Sequence, residues 1–358
     1  MSKIILISLI IFLLFFNNKI KKIYQYYIKE NPIHKKIASN FDLFFLFRPT
    51  MFFAVWLMVA IGMYLSSLQI QEYPQWIFMF DFWTMIFFIG ISLVVGSTLI
   101  QNQIDDIEID RINNKLFLLN GYVDIAIAKK VHKISFLLGM GLLLLVNIYN
   151  FIIGFIIFLF WNKFYNANEF SWKKHPLLGP LCNFIVGILF MLSGWIYVSC
   201  YGIWFYFSTS IITPQFFVGI IPYILSYVAV ILLTDIPDVK GDLKNNKTTF
   251  TIKYTQKITV LISTVLVISA CFVSLELNDP LASTAIISSV PFFLYALFRQ
   301  YEKDILRAIR YPIFILNFFV MTIYPYLFIG CFIVFYFSKY YYWYRFNLHY
   351  PTFLVEND

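Results

Sequence analysis

Charge is what this sequence has least of. Only 13% of its 358 residues are charged, about half the share of an ordinary soluble protein. A core built from 60% hydrophobic and 21% aromatic residues cannot be hidden from water at this chain length, so lipid must be the solvent for much of the chain. Cysteine is equally thin. Cys182, Cys200, Cys271 and Cys331 lie in or beside apolar runs with no CxxC spacing, which excludes a thiolate metal site and leaves them as small packing residues. The four histidines are scattered and form no HExxH, so a zinc hydrolase is excluded. GxSxG, GxGxxG and the phosphate-binding GxxxxGK[ST] are missing too. A net charge of +8 suggests nucleic acid only when a basic patch sits on a soluble domain. Here the basic residues fall in short connectors between apolar runs, and no nucleic-acid partner is expected.

What the chain has is hydrophobic runs. Nine spans are expected, at about 50–68, 82–101, 134–148, 150–161, 180–200, 215–234, 258–275, 282–298 and 312–336; most approach the ~20 residues that cross a bilayer. The apolar stretch from Ile134 to Trp161 is divided into two helices by Asn147 and Asn150. The fold class expected is all-α, a polytopic bundle of about nine transmembrane helices. Its sidedness follows from lysine and arginine. If the stretch after the second span faces the cytoplasm, the connectors on that side hold 17 basic residues, from Arg111 to Arg310, and the opposite side holds only Lys339 and Arg345. That asymmetry fixes the orientation. Residues 1–40 are set apart as a short apolar segment, Ile4 to Phe16, with a basic linker; 41–337 form the membrane domain and 338–358 a tail.

Against this background QNQIDDIEID at 101–110 stands out. Together with TDIPDVKGD at 234–242 it holds seven of the 19 acidic residues, each stretch at the end of a span on the same side. Asn102, Asp106 and Asp110 follow one another at i, i+4 and i+8 and share a helical face, while Asp105 and Glu108 point elsewhere. Asp235, Asp238 and Asp242 follow at i, i+3 and i+7, with Pro237 and Gly241 breaking the helix. An acidic run at a helix end is often a solvated cap. Two such runs at equal depth are better suited to sharing cations, because close carboxylates repel unless positive charge holds them. Mg²⁺ binds through a few carboxylates plus phosphate oxygens, so two facing acidic walls would clamp a diphosphate beside an apolar cleft. A transporter would need ionisable groups near mid-membrane; these lie at span ends, and Asp81 near the outer start of the second span is the one exception.

Asn102 to Asn113 resembles the first motif, NDxxDxxxD, of the UbiA family of intramembrane prenyltransferases, and Asp235 to Asp242 resembles its second aspartate motif. The FRPT around Arg48 and Pro49 is similar to the Arg-Pro opening the family's first helix. The resemblance covers about residues 40–337. It implies Mg²⁺-dependent transfer of a prenyl group from a polyprenyl diphosphate to an acceptor, often aromatic. It also implies metal-binding and catalytic roles for Asp106, Asp110, Asp235, Asp238 and Asp242. Substrate contacts are implied for Arg48, Asn102, Gln103, Lys173 and Lys240, and for Tyr165 by family position. Gln103 stands where most of the family has aspartate. NQxxDxxID, DIPDVKGD and KKHPLLGPLC resemble the homogentisate branch, whereas Gly187 stands where that branch has arginine and KLFLLNGY replaces its pattern after the first motif. The leading acceptor is therefore homogentisate-like; the alternatives are a UbiA-type prenyltransferase or cyclase acting on a non-aromatic lipid. The expected location is a bacterial inner or plastid membrane, among membrane lipids, with both motifs on the cytoplasmic or stromal face.

Overall fold

The computed structural model describes residues 32–70, 81–112, 117–167, 169–201, 204, 212–244 and 247–352. The N-terminal apolar segment lies outside them. Helices and their turns make up the described residues, with no strand among them. In order they are α1 (Pro32–Ser39), α2 (Asp42–Phe45), α3 (Phe52–Ile70), α4 (Phe82–Asp105), α5 (Ile107–Ile112), α6 (Ile125–Val146) and α7 (Ile148–Phe158). There follow α8 (Leu178–Ser199), α9 (Pro214–Gly219), α10 (Ile221–Thr234), α11 (Val239–Lys244), α12 (Phe250–Glu276), α13 (Pro280–Arg299), α14 (Glu302–Ile323) and α15 (Pro325–Phe346).

Seven of the described helical stretches are long and apolar enough to cross a membrane: Asp42–Gln69, Phe82–Asp105, Ile148–Asn166, Leu178–Ser199, Phe250–Glu276, Pro280–Arg299 and Glu302–Ile323. Large apolar side chains on their outer faces, such as Phe272 at 69% exposure and Phe298 at 80%, belong against lipid rather than water. These seven among the described residues do not establish the expected count of nine, and the helices depart from the expected spans in three places. The third span is the far end of α6, which starts nine residues earlier and carries Lys129, Lys130 and Lys133 in its first turns. The sixth is short, because α9 and α10 are separate helices on either side of Ile220. The ninth, 312–336, straddles a break at Tyr324, where α14 ends and Pro325 begins α15. The division at the asparagines is as expected. Asn147 is extended (φ −168°, ψ 161°), and its Oδ1 accepts from Asn150 N at 2.8 Å, capping α7.

The break at Tyr324 changes the ends of the chain. α15 runs back to the acidic end of the bundle and continues through residues 338–346, the first part of the expected tail. There Arg345 donates to both carboxylate oxygens of Asp42, at 3.0 and 2.7 Å, and its guanidinium lies 4.4 Å from the Tyr122 ring centroid. Arg345, expected on the opposite side, therefore sits on the same side as the other basic residues.

The core is built from paired helices: α4 against α6, α3 against α8, α10 against α12 and α13 against α14. The α3–α8 crossing depends on two glycines. A Cβ on Gly62 would strike the Met191 carbonyl, and one on Gly194 would strike that of Val59, so the two backbones meet where no side chain fits. This crossing fixes α3, and with it one wall of the cleft described below.

Candidate active site

α4 ends at Asp105, not beyond it. Asp106 leaves the helix (φ −108°, ψ 16°), and its N–H still bonds Asn102 O at 3.0 Å. α5 then restarts with Asp110 N on Asp106 O at 2.8 Å. The i, i+4 relation survives the break, so Asn102 and Asp106 present their oxygens to one group. That group is Lys173, whose Nζ donates to Asp106 Oδ1 at 2.9 Å, Asn102 Oδ1 at 3.4 Å and Asn166 Oδ1 at 3.3 Å.

The second acidic stretch closes on the first through another lysine. The chain turns after α10: Asp238 N bonds Asp235 O, Asp242 N bonds Asp238 O and Lys247 N bonds Asp242 O. The last of these aims Lys247 back at the acids. Its Nζ lies 3.4 Å from Asp242 Oδ1 and 3.5 Å from Asp106 Oδ1, with the side chains of Lys247, Asp242 and Asp106 8%, 8% and 11% exposed. Thr248 N bonds Lys174 O at 3.1 Å, which ties the two lysine-bearing loops together. Two motifs separated by more than a hundred residues thus meet across one buried ammonium group.

The electrostatics of this cluster are unbalanced. Burial, then the charges of Asp242 and Asp238, push the Asp235 carboxyl up to about 7. Asp242 is also raised by burial and by Asp238, against the pull of Lys247. Burial lowers the Lys173 ammonium, against the pull of Asp106. Crowded, buried carboxylates of this kind favour an added cation. Among the described residues no three acidic, histidine or cysteine side chains come together tightly enough to hold an ion unaided. The donors are hard oxygens nonetheless, and Mg²⁺ commonly takes one or two carboxylates and completes its shell with phosphate oxygens and water. The residues fit that ion on this condition.

The other expected residues are placed as follows. Tyr165 lies near Asn183, which accepts from Trp161 Nε1 at 3.0 Å, and within electrostatic reach of both Asp235 and Asp106. Asp110 and Asp238 are half-buried on the adjoining α5 and the turn before α11. Gln103 turns away: it is 2% exposed, and its Nε2 donates to Leu46 O at 2.6 Å and Leu99 O at 3.1 Å. It fastens α4 to the segment before Arg48. Arg48 is half-buried in a left-handed turn (φ 51°) and close enough to Tyr342 to influence it. Lys240 is exposed. Asp105 is exposed and accepts from Gln101, while Glu108 pairs with Arg111 in solvent. Lys247 and Asn166 were not singled out from sequence. Lys247 was one topology-setting lysine among many, and only its place five residues after Asp242 could have marked it. For Asn166 the sequence offers no signal.

Beneath the acids lies an apolar cleft between α3, α10, α12, α13 and α14. Val230 on its wall is five residues before Asp235, and Tyr223 lies at its other end.

The chain is similar to known proteins in sequence and in fold. Digeranylgeranylglyceryl phosphate synthase of Sulfurisphaera tokodaii is 31% identical over 186 residues, which cover 50% of this chain and 60% of that protein. The match therefore spans less than two thirds of that relative's length. A UbiA homolog from Archaeoglobus fulgidus bound to GPP and Mg²⁺ superposes with a TM-score of 0.56 at 13% identity, covering 79% of this chain and 99% of its own. A structure of a digeranylgeranylglyceryl phosphate synthase in membranes gives 0.55 at 22%, covering 80% and 97%. The apo UbiA homolog from Aeropyrum pernix K1 gives 0.55 at 15%, covering 78% and 97%. These structures share the fold, and the curated relative is named for a glyceryl phosphate lipid rather than for the homogentisate branch. The UbiA prenyltransferase family matches residues 55–319, from the first turn of α3 to the last turns of α14, and the chain belongs to that family.

Proposed function

We propose that this protein transfers a prenyl group from a polyprenyl diphosphate to an acceptor at the cytoplasmic edge of a membrane. The observation that supports the reading is the meeting of Asp106 and Asp242 on Lys247 above an apolar cleft. Charge for a diphosphate and room for a hydrocarbon chain are then adjacent.

Asp106, Asp110, Asp235, Asp238 and Asp242, with Asn102, would hold Mg²⁺, which when bound neutralises charge on the leaving diphosphate. Lys173 and Lys247 donate to phosphate oxygens, exchanging a carboxylate partner for a phosphate one. Loss of the diphosphate leaves an allylic cation on the prenyl group. The cleft keeps water from it, and the Tyr165 ring offers it an aromatic face. Arg48 and Lys240 stand further out and serve the approach of the anionic head group rather than the reacting bond.

For the acceptor we favour a non-aromatic glyceryl phosphate lipid. The curated relative is a synthase of that class. Gly187, where the homogentisate branch has arginine, also has no room for a side chain: a Cβ there would stand 2.5 Å from Tyr227 Cε1. The homogentisate-like reading keeps the support of DIPDVKGD and KKHPLLGPLC. Gln103, bonded to backbone carbonyls, gives it no contact to an acceptor. The test is incubation of membranes containing the protein with labelled geranylgeranyl diphosphate and Mg²⁺, offering glyceryl phosphate lipids and homogentisate separately. Labelled glyceryl lipid supports the favoured acceptor, labelled homogentisate replaces it, and no transfer to any acceptor overturns the reading.

A further inference from the structure

The cleft under the acidic cluster has a built floor. Tyr223, 2% exposed, lines its far end. The phenol donates to Asp279 Oδ2 at 2.7 Å. Asp279 Oδ1 meanwhile accepts from Leu281 N at 3.0 Å and Ala282 N at 3.1 Å, capping α13. Tyr64 of α3 lies within electrostatic reach of Asp279. Two helices, α10 and α13, are thus pinned to one carboxylate below the cavity, with Tyr64 of α3 beside it. A hydrocarbon chain pushed past this point would have to displace buried hydrogen bonds and leave polar atoms unpaired, which is costly in a lipid-like interior.

We infer that Tyr223, held by Asp279, is the residue that limits the length of the prenyl chain. This inference rests on the proposed prenyl-diphosphate reading and makes it quantitative. From Tyr223 to Thr234 at the acidic end of α10 is eleven residues, roughly 17 Å at ~1.5 Å per residue. An extended isoprenoid unit adds four skeletal bonds, about 5 Å from ordinary C–C lengths. With its diphosphate at Asp106 and Asp242, the cleft therefore takes three to four units. Ser226 lies one turn nearer the acids on the same wall, about 4.5 Å by the helical rise. A large side chain there would remove about one unit of depth.

The experiment is a binding series on the full-length protein purified in detergent. Mg²⁺ is present, no acceptor is added, and prenyl diphosphates of two to eight units serve as probes. Wild-type affinity is expected to rise to three or four units and to fall about tenfold by six units, the scale of overpacking a filled core. Tyr223→Ala should shift the optimum by at least one unit upward, and Ser226→Phe should shift it by one unit downward. General damage to the fold would weaken every chain length together and would not move the optimum in opposite directions. Binding that is equal from four to eight units, or an optimum unmoved in both variants, overturns the inference while leaving prenyl-diphosphate binding intact. If no chain length binds the wild type, the functional reading fails and the inference fails with it.

Discussion

Lys247 lies with its Nζ 3.5 Å from Asp106 Oδ1, and this contact joins the two acidic stretches. It is a buried charge contact, so removing one partner strands the others. Lys247→Met is expected to lower affinity for prenyl diphosphate by more than tenfold and to destabilise the protein by about 3 kcal/mol, as loss of a buried ionic partner does. Lys247→Arg should retain most of the stability. Titration calorimetry with geranylgeranyl diphosphate and thermal denaturation in detergent check both.

The Asp235 carboxyl, raised to about 7 by burial and by Asp242 and Asp238, makes the metal requirement depend on pH. A proton competes with the cation below pH 7. The concentration of Mg²⁺ needed for half-maximal stabilisation should therefore fall as pH rises from 6 to 8. Without Mg²⁺ the sign is opposite. A carboxyl whose folded pKa is raised contributes stability that is complete below its unfolded value of 3.8 and is lost as pH rises through about 7. Asp235→Asn should flatten both dependences in a melting series across this range.

Gln103 is a fastening between α4 and the segment before Arg48. Gln103→Asp, the residue most of the family carries, would set a carboxylate against the carbonyls of Leu46 and Leu99 in place of a donor. A loss of about 1–3 kcal/mol is expected for the unpaired buried groups. The ratio of products across an acceptor panel should be unchanged. A changed ratio at wild-type stability would assign Gln103 to the acceptor site.

Gly187 sits against the Tyr227 ring, 2.5 Å from where a Cβ would stand. Gly187→Ala should cost about 1–3 kcal/mol by overpacking, and Gly187→Arg should fail to accumulate in membranes. Tyr227→Ala should restore expression of Gly187→Arg, which a level of protein in isolated membranes reads directly.

Much of this architecture was legible in the sequence because lipid imposes long apolar runs and a one-sided distribution of lysine. The breaks were legible only where a side chain signals them. Asn147 marks its own turn as a cap. Tyr324 and Pro325 lie inside a continuous apolar run, so the division between α14 and α15 does not interrupt hydrophobicity, and the sequence pattern alone divides α15 between span and tail. The acidic stretches announced themselves because acids are scarce. Helical spacing separated Asp106 from Asp105, which the structure leaves exposed. Lys247 and Asn166 were hidden because nothing local distinguishes them; the turn from Asp242 to Lys247 and the loop contact of Thr248 with Lys174 give them their positions. Gln103 shows the converse: a residue informative about kinship has its side chain committed to backbone carbonyls.

The most direct test of the account compares Asp106→Ala, Asp238→Ala and Asp105→Ala in Mg²⁺-dependent transfer from labelled geranylgeranyl diphosphate, in membranes with equal amounts of protein. Asp106→Ala and Asp238→Ala are predicted to lose transfer by at least a hundredfold while Asp105→Ala keeps most of it. Full transfer by Asp106→Ala, or equal loss in all three, would contradict the assignment of the site.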